Sequence, residues 1–181
     1  MHFLEQHYNK TIKNDLINKF YFKNEQKIPK LKKIVLNIGH KKSEISELAI
    51  SSLFLELITN NKSCKLTASS KTNAFLKLRK GYPVGCKIIL KKTEMYNFLF
   101  RLLNEIFPKI KDFEHTLFKS NIEQNSITYN LNNLLIFPEV EDYFSIFSNK
   151  LSSLSITLVA TTKTKEEIQF LLNSFKIPIK S

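Results

Sequence analysis

Glycine occurs three times in 181 residues, against an ordinary usage of roughly 7%. Tryptophan is absent, cysteine occurs twice, and arginine occurs only at Arg79 and Arg101. Cys64 and Cys86 are too few for a disulfide framework or a cysteine-based zinc site. Their positions on apolar strand faces predict buried thiols. His2, His7, His40 and His115 are scattered and lack metal-ligand spacing. No run of about 18 apolar residues exists, which excludes a transmembrane helix of ordinary length. The opening "MHFLEQHYNKTIKNDL" has no signal-peptide hydrophobic block. It carries acids and few arginines, so it is also a poor transit peptide.

What replaces the missing residues is Lys, Asn, Ile and Phe. Folding physics does not ask for this exchange. The enriched residues have AT-rich codons and the depleted ones GC-rich codons, which points to a strongly AT-biased genome of the organelle or endosymbiont kind. With 43% hydrophobic and 24% charged residues, the chain has the composition of a folded protein. Its length suits a single domain over 1–181. The net charge of +12 predicts a polyanionic partner, nucleic acid or an anionic membrane surface. The plain alternative is a soluble basic protein.

Periodicity predicts the elements. Leu4, Tyr8, Ile12, Leu16 and Phe20 recur every four residues, marking a helix from His2 to Phe20. From Leu31 to Ile38 the period becomes two, with Ile34, Leu36 and Ile38 on one side and Lys33, Val35 and Asn37 on the other; Gly39 ends the run. Ile45, Leu48, Ala49, Leu53, Leu55 and Ile58 suit the core face of a helix that stops at Asn60-Asn61. Ser63–Ala68 alternates, with Cys64, Leu66 and Ala68 apolar. Cys86–Lys91 does the same, with Cys86, Ile88 and Leu90 inward. A helix is expected from Thr93 as N-cap to Phe107, closed by Pro108. "SITYNLNNLLIF" looks like strand interrupted by Pro138, and Ser153–Thr162 is a strand with Leu154, Ile156, Leu158 and Ala160 inward. Thr164 and Glu167 have capping-box spacing before a last helix. The order predicts an α+β domain: one mainly antiparallel sheet, helices packed on one face, the other face open.

That open face would carry Lys33, Asn37, Lys65, Thr67, Lys87, Lys91, Ser155, Thr157 and Thr161. A merely solvated face is common in antiparallel sheets, but it usually mixes charge signs. Here it is basic and hydroxylic, which suits phosphates and ribose hydroxyls. No acid lies between Glu25 and Glu44 or between Glu56 and Glu94. Catalytic readings fail. "LNIGHKKS" lacks P-loop spacing. Glu139, Glu141 and Asp142 read as a solvated turn. No nucleophile, base and metal set assembles.

The words "KIPKLKKIVLNIG", "KLRKGYPVGCKIIL", "PKIKDF", "IFPEV" and "SITLVATTKTKEEIQFLLNSFKIPIK" stand in one order with one spacing. Together they resemble the ribosomal large-subunit protein five family of bacterial type, over nearly the whole chain. The resemblance implies a place in the central protuberance of the large subunit, beside large-subunit rRNA and neighbouring protuberance proteins. It implies 5S rRNA on the open sheet face, with Gly39 joining the residues above. It also implies that the loop 69–84 reaches P-site tRNA through Lys71, Lys77, Arg79, Lys80, Gly81 and Tyr82, and that another edge meets a small-subunit head protein. No catalysis and no cofactor are implied. Within the loop's return limb, Gly81 and Gly85 would allow backbone geometry or close approach that a Cβ hinders. Pro83 would stiffen the limb, and Lys77, Arg79 and Lys80 would charge its tip. Composition makes the loop long, with few residues able to anchor it.

The chain departs from the family at "DFEHTLF" and "SNIEQNSITYNLNN", where family glycines and arginines are gone. Because that region faces the small subunit in the family, these losses argue against the intersubunit contact. Val35 stands where a hydroxyl residue is common. These losses and the codon bias favour a mitochondrial ribosome and an organelle-encoded protein. Two functions follow: an RNA-binding ribosomal protein, or a protein-docking part of a mitochondrial ribosome that lacks 5S rRNA.

Overall fold

A computed structural model describes residues 2–40, 44–110, 121–141, 143, 147 and 152–179. Six strands form one sheet in the order β2-β3-β1-β6-β5-β4. They are β1 (Leu31–Gly39), β2 (Lys65–Ala68), β3 (Pro83–Leu90), β4 (Asn121–Ile122), β5 (Ser126–Leu131) and β6 (Leu154–Ala160). The pairs β2–β3 and β4–β5 run antiparallel. Thr161 N donates to Lys30 O (2.9 Å) where β6 ends and β1 begins, and Ala160 N donates to Asn125 O (2.9 Å) where β6 ends and β5 begins. The helices are α1 (Phe3–His7), α2 (Lys13–Lys19), α3 (Ile45–Ile58), α4 (Lys92–Arg101), α5 (Pro138–Glu141) and α6 (Lys165–Ser174). The α+β class read from the sequence is the class observed. Among the described residues no helix is long and apolar enough to cross a membrane.

The chain groups into two compact units. The first comprises Met1–Ile34, Leu90–Tyr129 and Thr157–Ser181. Its N-terminal segment buries Leu4, Tyr8, Ile12 and Leu16. Four-residue steps drift by roughly 40° each on an α-helix, so such a stripe would wander off its target. A π-turn at Tyr8–Ile12, between α1 and α2, widens the helix and absorbs that drift. Tyr8 also donates its hydroxyl to Pro29 O (2.9 Å) and stacks on Phe175 with centroids 6.3 Å apart. Thr164 caps α6, its Oγ1 accepting from Glu167 N at 3.3 Å, as the capping-box spacing predicts. Glu167 reaches back to Lys163 N (2.8 Å).

The second unit comprises Val35–Ile89 and Asn130–Ile156. Phe54 of α3 is fully buried, edge-on to Phe137 (5.6 Å) and Phe147 (6.0 Å). α3 ends as expected: Asn60 and Asn61 take positive φ, and Asn61 N donates to Glu56 O (2.8 Å). Asparagine supplies here the left-handed end that glycine usually gives.

Several expectations are corrected. On α3, Leu48, Leu55 and Ile58 are buried as predicted, but Ile45, Ala49 and Leu53 are exposed, and Ser51 and Phe54 are buried in their place. The helix is apolar almost all round, so periodicity could not choose a face; the Phe54 cluster does. β2 leaves Leu66 and Ala68 exposed because it is an edge strand, and Cys64, just before it, is only half-buried. Lys91, not Thr93, is the N-cap of α4, in extended geometry and without a side-chain cap bond. "SITYNLNNLLIF" is strand only through Leu131; Asn133 Oδ1 then accepts from Leu135 N (3.1 Å) and turns the chain. β4 was not foreseen.

Candidate nucleic-acid interface

Strand alternation builds the site. In the second unit, β1 and β3 bury Leu36, Ile38, Cys86 and Ile88 on one side and leave Val35, Asn37, Lys87 and Ile89 half-exposed on the other. Ser155 of β6 and Asn130 of β5 are half-exposed in the same alternation. In the first unit, Lys33, Thr128, Thr157 and Val159 are half-exposed beside buried neighbours. The Thr128 and Thr157 hydroxyls lie 3.0 Å apart. Sequence reasoning missed Thr128 and Asn130, although the alternation Ile127, Tyr129, Leu131 carries the signal.

Lys65 pairs directly with Lys87 across β2 and β3. Paired residues of an antiparallel ladder project to the same face, and like charges there are destabilising. Among the described residues no carboxylate forms an ion pair with Lys33, Lys65 or Lys87. Thr67 pairs with Gly85. A Cβ on Gly85 would stand 2.6 Å from Ile38 O and 2.9 Å from Thr67 Oγ1, so β3 meets β1 here only as glycine. The close approach expected of this residue is present.

Other predicted residues sit differently. Gly39 is exposed, and a Cβ on it would meet nothing within 4 Å. Its carbonyl accepts from Ser152 Oγ (2.8 Å). Lys91 lies beyond the end of β3 and is exposed. Thr161 lies beyond β6, and its hydroxyl is engaged with Lys30, accepting from N (3.1 Å) and donating to O (3.3 Å). It clamps two strand ends more than it offers a free donor.

The loop after β2 is internally braced rather than poorly anchored. Ser69 N donates to Tyr82 O (2.8 Å), and Gly81 N to Ser69 O (3.0 Å). Higher up, Asn73 and Leu78 exchange two bonds of 2.9 Å, and Leu78 is buried. Asn73 Oδ1 accepts from Phe75 N (3.0 Å) and Leu76 N (3.4 Å). Lys77 takes φ +52° and Gly81 φ +91°. A register shift between Thr67 and Ala68 marks a bulge at the base, a device that re-aims a strand. The turn is therefore Ala74–Lys77. Phe75 on it is fully exposed. Lys77 is on the turn, whereas Arg79 and Lys80 lie below it, correcting the expected all-basic tip. Lys71 is exposed, and so is Tyr82 beside Pro83. Counting charges missed Phe75; the Asn73 turn ahead of two apolar residues was the available signal.

Two buried groups border on chemistry without performing it. His40 Nε2 lies 2.6 Å from Ser51 Oγ and His40 Nδ1 3.4 Å from Glu47 Oε2. Ser51 is fully buried, so this line cannot present a nucleophile; it braces the end of β1 against α3. Burial, and secondarily the neighbouring Cys64 thiol, push the Cys86 thiol up to about 12, and its Sγ lies 3.5 Å from Leu48 O.

A family model describing the C-terminus of the ribosomal L5 family matches residues 83–179. The chain belongs to the ribosomal L5 family. It is 36% identical over 181 residues to the large ribosomal subunit protein uL5m of Reclinomonas americana, covering 99% of this chain and 98% of that relative. It is 37% identical over 182 residues to the uL5 protein of Nitrosomonas europaea, covering 98% of both chains. The uL5 protein of Neisseria meningitidis is 35% identical over 181 residues, again covering 98% of both. Membership in this family makes the chain a structural ribosomal protein and not an enzyme.

Proposed function

We propose that this ribosomal protein is a constituent of the large subunit of a mitochondrial ribosome and holds 5S rRNA on its open sheet face. The observation that carries the reading is Lys65 directly opposite Lys87, two ammonium groups on one face without a carboxylate partner among the described residues. An RNA phosphate between them would turn their repulsion into charge-assisted binding. Within the same unit Asn37 and Ser155 add donors suited to phosphate and 2′-hydroxyl groups, and within the other unit Lys33 and the Thr128–Thr157 pair offer donors of the same kind. The mitochondrial setting is supported by the uL5m relative and by the AT-biased composition, which also supports organelle encoding. The braced loop would extend toward P-site tRNA. The departures from the family at "DFEHTLF", which lies outside the described residues, and at "SNIEQNSITYNLNN" weigh against the contact with a small-subunit head protein.

The test is a titration of the full chain with 5S rRNA at several salt concentrations. The double substitution Lys65→Ala/Lys87→Ala should weaken binding. For every phosphate no longer neutralised, the magnitude of the salt-dependence slope should fall by roughly 0.7 to 0.9. An unchanged slope refutes the sheet-face reading and favours protein docking there.

A further inference from the structure

A groove in the first unit, between α2 and residues 22–28, belongs to no part of the candidate interface. It encloses about 300 Å³, the lower end of small-ligand pockets, which run to roughly 1,000 Å³. Ile17, Phe22 and Ile28 give it apolar walls, and Lys13 and Glu25 also line it. Phe22 is half-exposed, so its ring is open to a ligand. The lining is braced from within the unit. The Phe22 and Phe20 ring centroids lie 6.3 Å apart, and Phe20 meets Phe170 of α6 edge-on at 5.8 Å. Glu25–Lys27 forms a single 3-10 turn. In it Lys27 N donates to Asn24 O (3.0 Å) and Ile28 N to Glu25 O (3.2 Å). Lys13 Nζ donates to Glu25 Oε1 and ties α2 to that turn.

An ion pair that only staples a turn to a helix needs no cavity beside it. This one lines a cavity with an aromatic wall, and its groups have a chemical complement. Lys13 keeps two further N–H donors, and the Glu25 carboxylate keeps lone pairs on both oxygens. The bond from Lys13, and then its charge, hold the Glu25 carboxyl below the ordinary range, so near neutral pH it only accepts. A donor beside two acceptors matches the Watson–Crick edge of guanine, whose O6 accepts and whose N1–H and N2–H donate. Adenine, cytosine and uracil present other orders on that edge. Unpaired RNA bases are read in this way, stacked on an aromatic ring and bonded along one edge. Residues 10–33 are rich in lysine, and Asp15 and Glu25 are their only acids. Lys23 and Lys27 adjoin lining residues, are exposed, and join no ion pair among the described residues. They suit the phosphates on either side of one base. A free nucleotide is usually gripped by a glycine-rich loop, and residues 1–38 contain no glycine. We propose that the groove is a second RNA site, holding one unpaired guanine of a ribosomal RNA strand against Phe22 with its Watson–Crick edge on Lys13 and Glu25.

The inference rests on the chain being an RNA-binding ribosomal protein and is independent of the sheet-face contact. The experiment titrates the full chain with uridine nonamers that carry guanosine, inosine or adenosine at the centre. The guanosine strand should bind at least about fivefold tighter than the adenosine strand, the smallest discrimination expected of a bidentate base contact. Inosine lacks the N2 amino group, so its strand should fall between them. Glu25→Gln should erase the guanosine preference. It should move the melting temperature by no more than about 4 °C, because an exposed ion pair contributes at most about 1 kcal/mol. Lys65→Ala/Lys87→Ala should keep the preference even where overall affinity falls, so failure of the sheet-face reading is told apart from failure of the groove. Equal affinities for the guanosine and adenosine strands, or a preference that survives Glu25→Gln, overturn the proposal. Displacement of the guanosine strand by GMP as readily as by the unlabelled nonamer overturns RNA as the source of the base.

Discussion

The carbonyl oxygen of Ile38 lies 2.6 Å from the point where a Cβ on Gly85 would sit. Both partners at that contact are backbone, so neither can step aside as a flexible side chain would. Gly85→Ala should therefore force β3 away from β1, a form of overpacking that costs about 1–3 kcal/mol. For a chain of this size each kcal/mol lowers the melting temperature by roughly 2–4 °C. Gly39→Ala is the matched control, because its Cβ would meet nothing within 4 Å. Equal melting temperatures for the two variants in a calorimetric scan would refute the close-approach account.

The contrast between these two glycines shows what the sequence could and could not reveal. A genome bias against glycine marks all three positions as worth noting, but only the strand pairing tells which one is sterically required. Strand faces were legible because period two has a single reading once one side is apolar: β1 and β6 bury the residues named for them. α3 was not, because Ile45, Leu48, Ala49, Leu53 and Leu55 satisfy helical spacing on more than one face. The basic strand residues of the candidate interface were legible from charge. Phe75 was not, since what singles it out is full exposure on a braced turn, which composition does not encode.

Buried acids of high pKa give the fold an alkaline limit. The Cys86 thiol is pushed up to about 12 by burial first and the Cys64 thiol second. The Tyr96 hydroxyl is likewise pushed up to about 12, by burial first and then by Glu5. Both groups stay protonated in the folded chain at pH values where the unfolded chain has lost those protons. The unfolded state then binds fewer protons, so stability falls as pH rises. The contribution is fully present below about pH 9 and is lost progressively between about pH 9 and 12. Urea midpoints should be flat on the acid side of this window and decline within it. Cys86→Ala should lower the midpoint overall but flatten the onset of the decline. A decline of the same shape in the variant would remove Cys86 from the account.

The proposed contact of the loop with tRNA would have two separable parts. Phe75 is fully exposed on a turn that Asn73 holds through its side-chain oxygen, so little ordering cost would remain in stacking it on a base. Stacking of a base on an aromatic ring contributes roughly 1–3 kcal/mol and carries no charge. In the proposed contact Lys77 and Arg79 would act on phosphates, and the planar fork of Arg79 could hold one with two bonds. Phe75→Ala should therefore weaken binding of the full chain to tRNA by a similar factor at every salt concentration. Phe75→Tyr should retain binding, because the ring is kept. Arg79→Ala should weaken binding most at low salt and reduce the slope of affinity against salt by roughly 0.7 to 0.9. None of the three should move the melting temperature by more than about 2 °C, because exposed substitutions usually stay within roughly ±0.5 kcal/mol. If Phe75→Ala binds as the parent chain does, or changes the salt slope as Arg79→Ala does, the ring is not stacking and the tip contact is electrostatic alone.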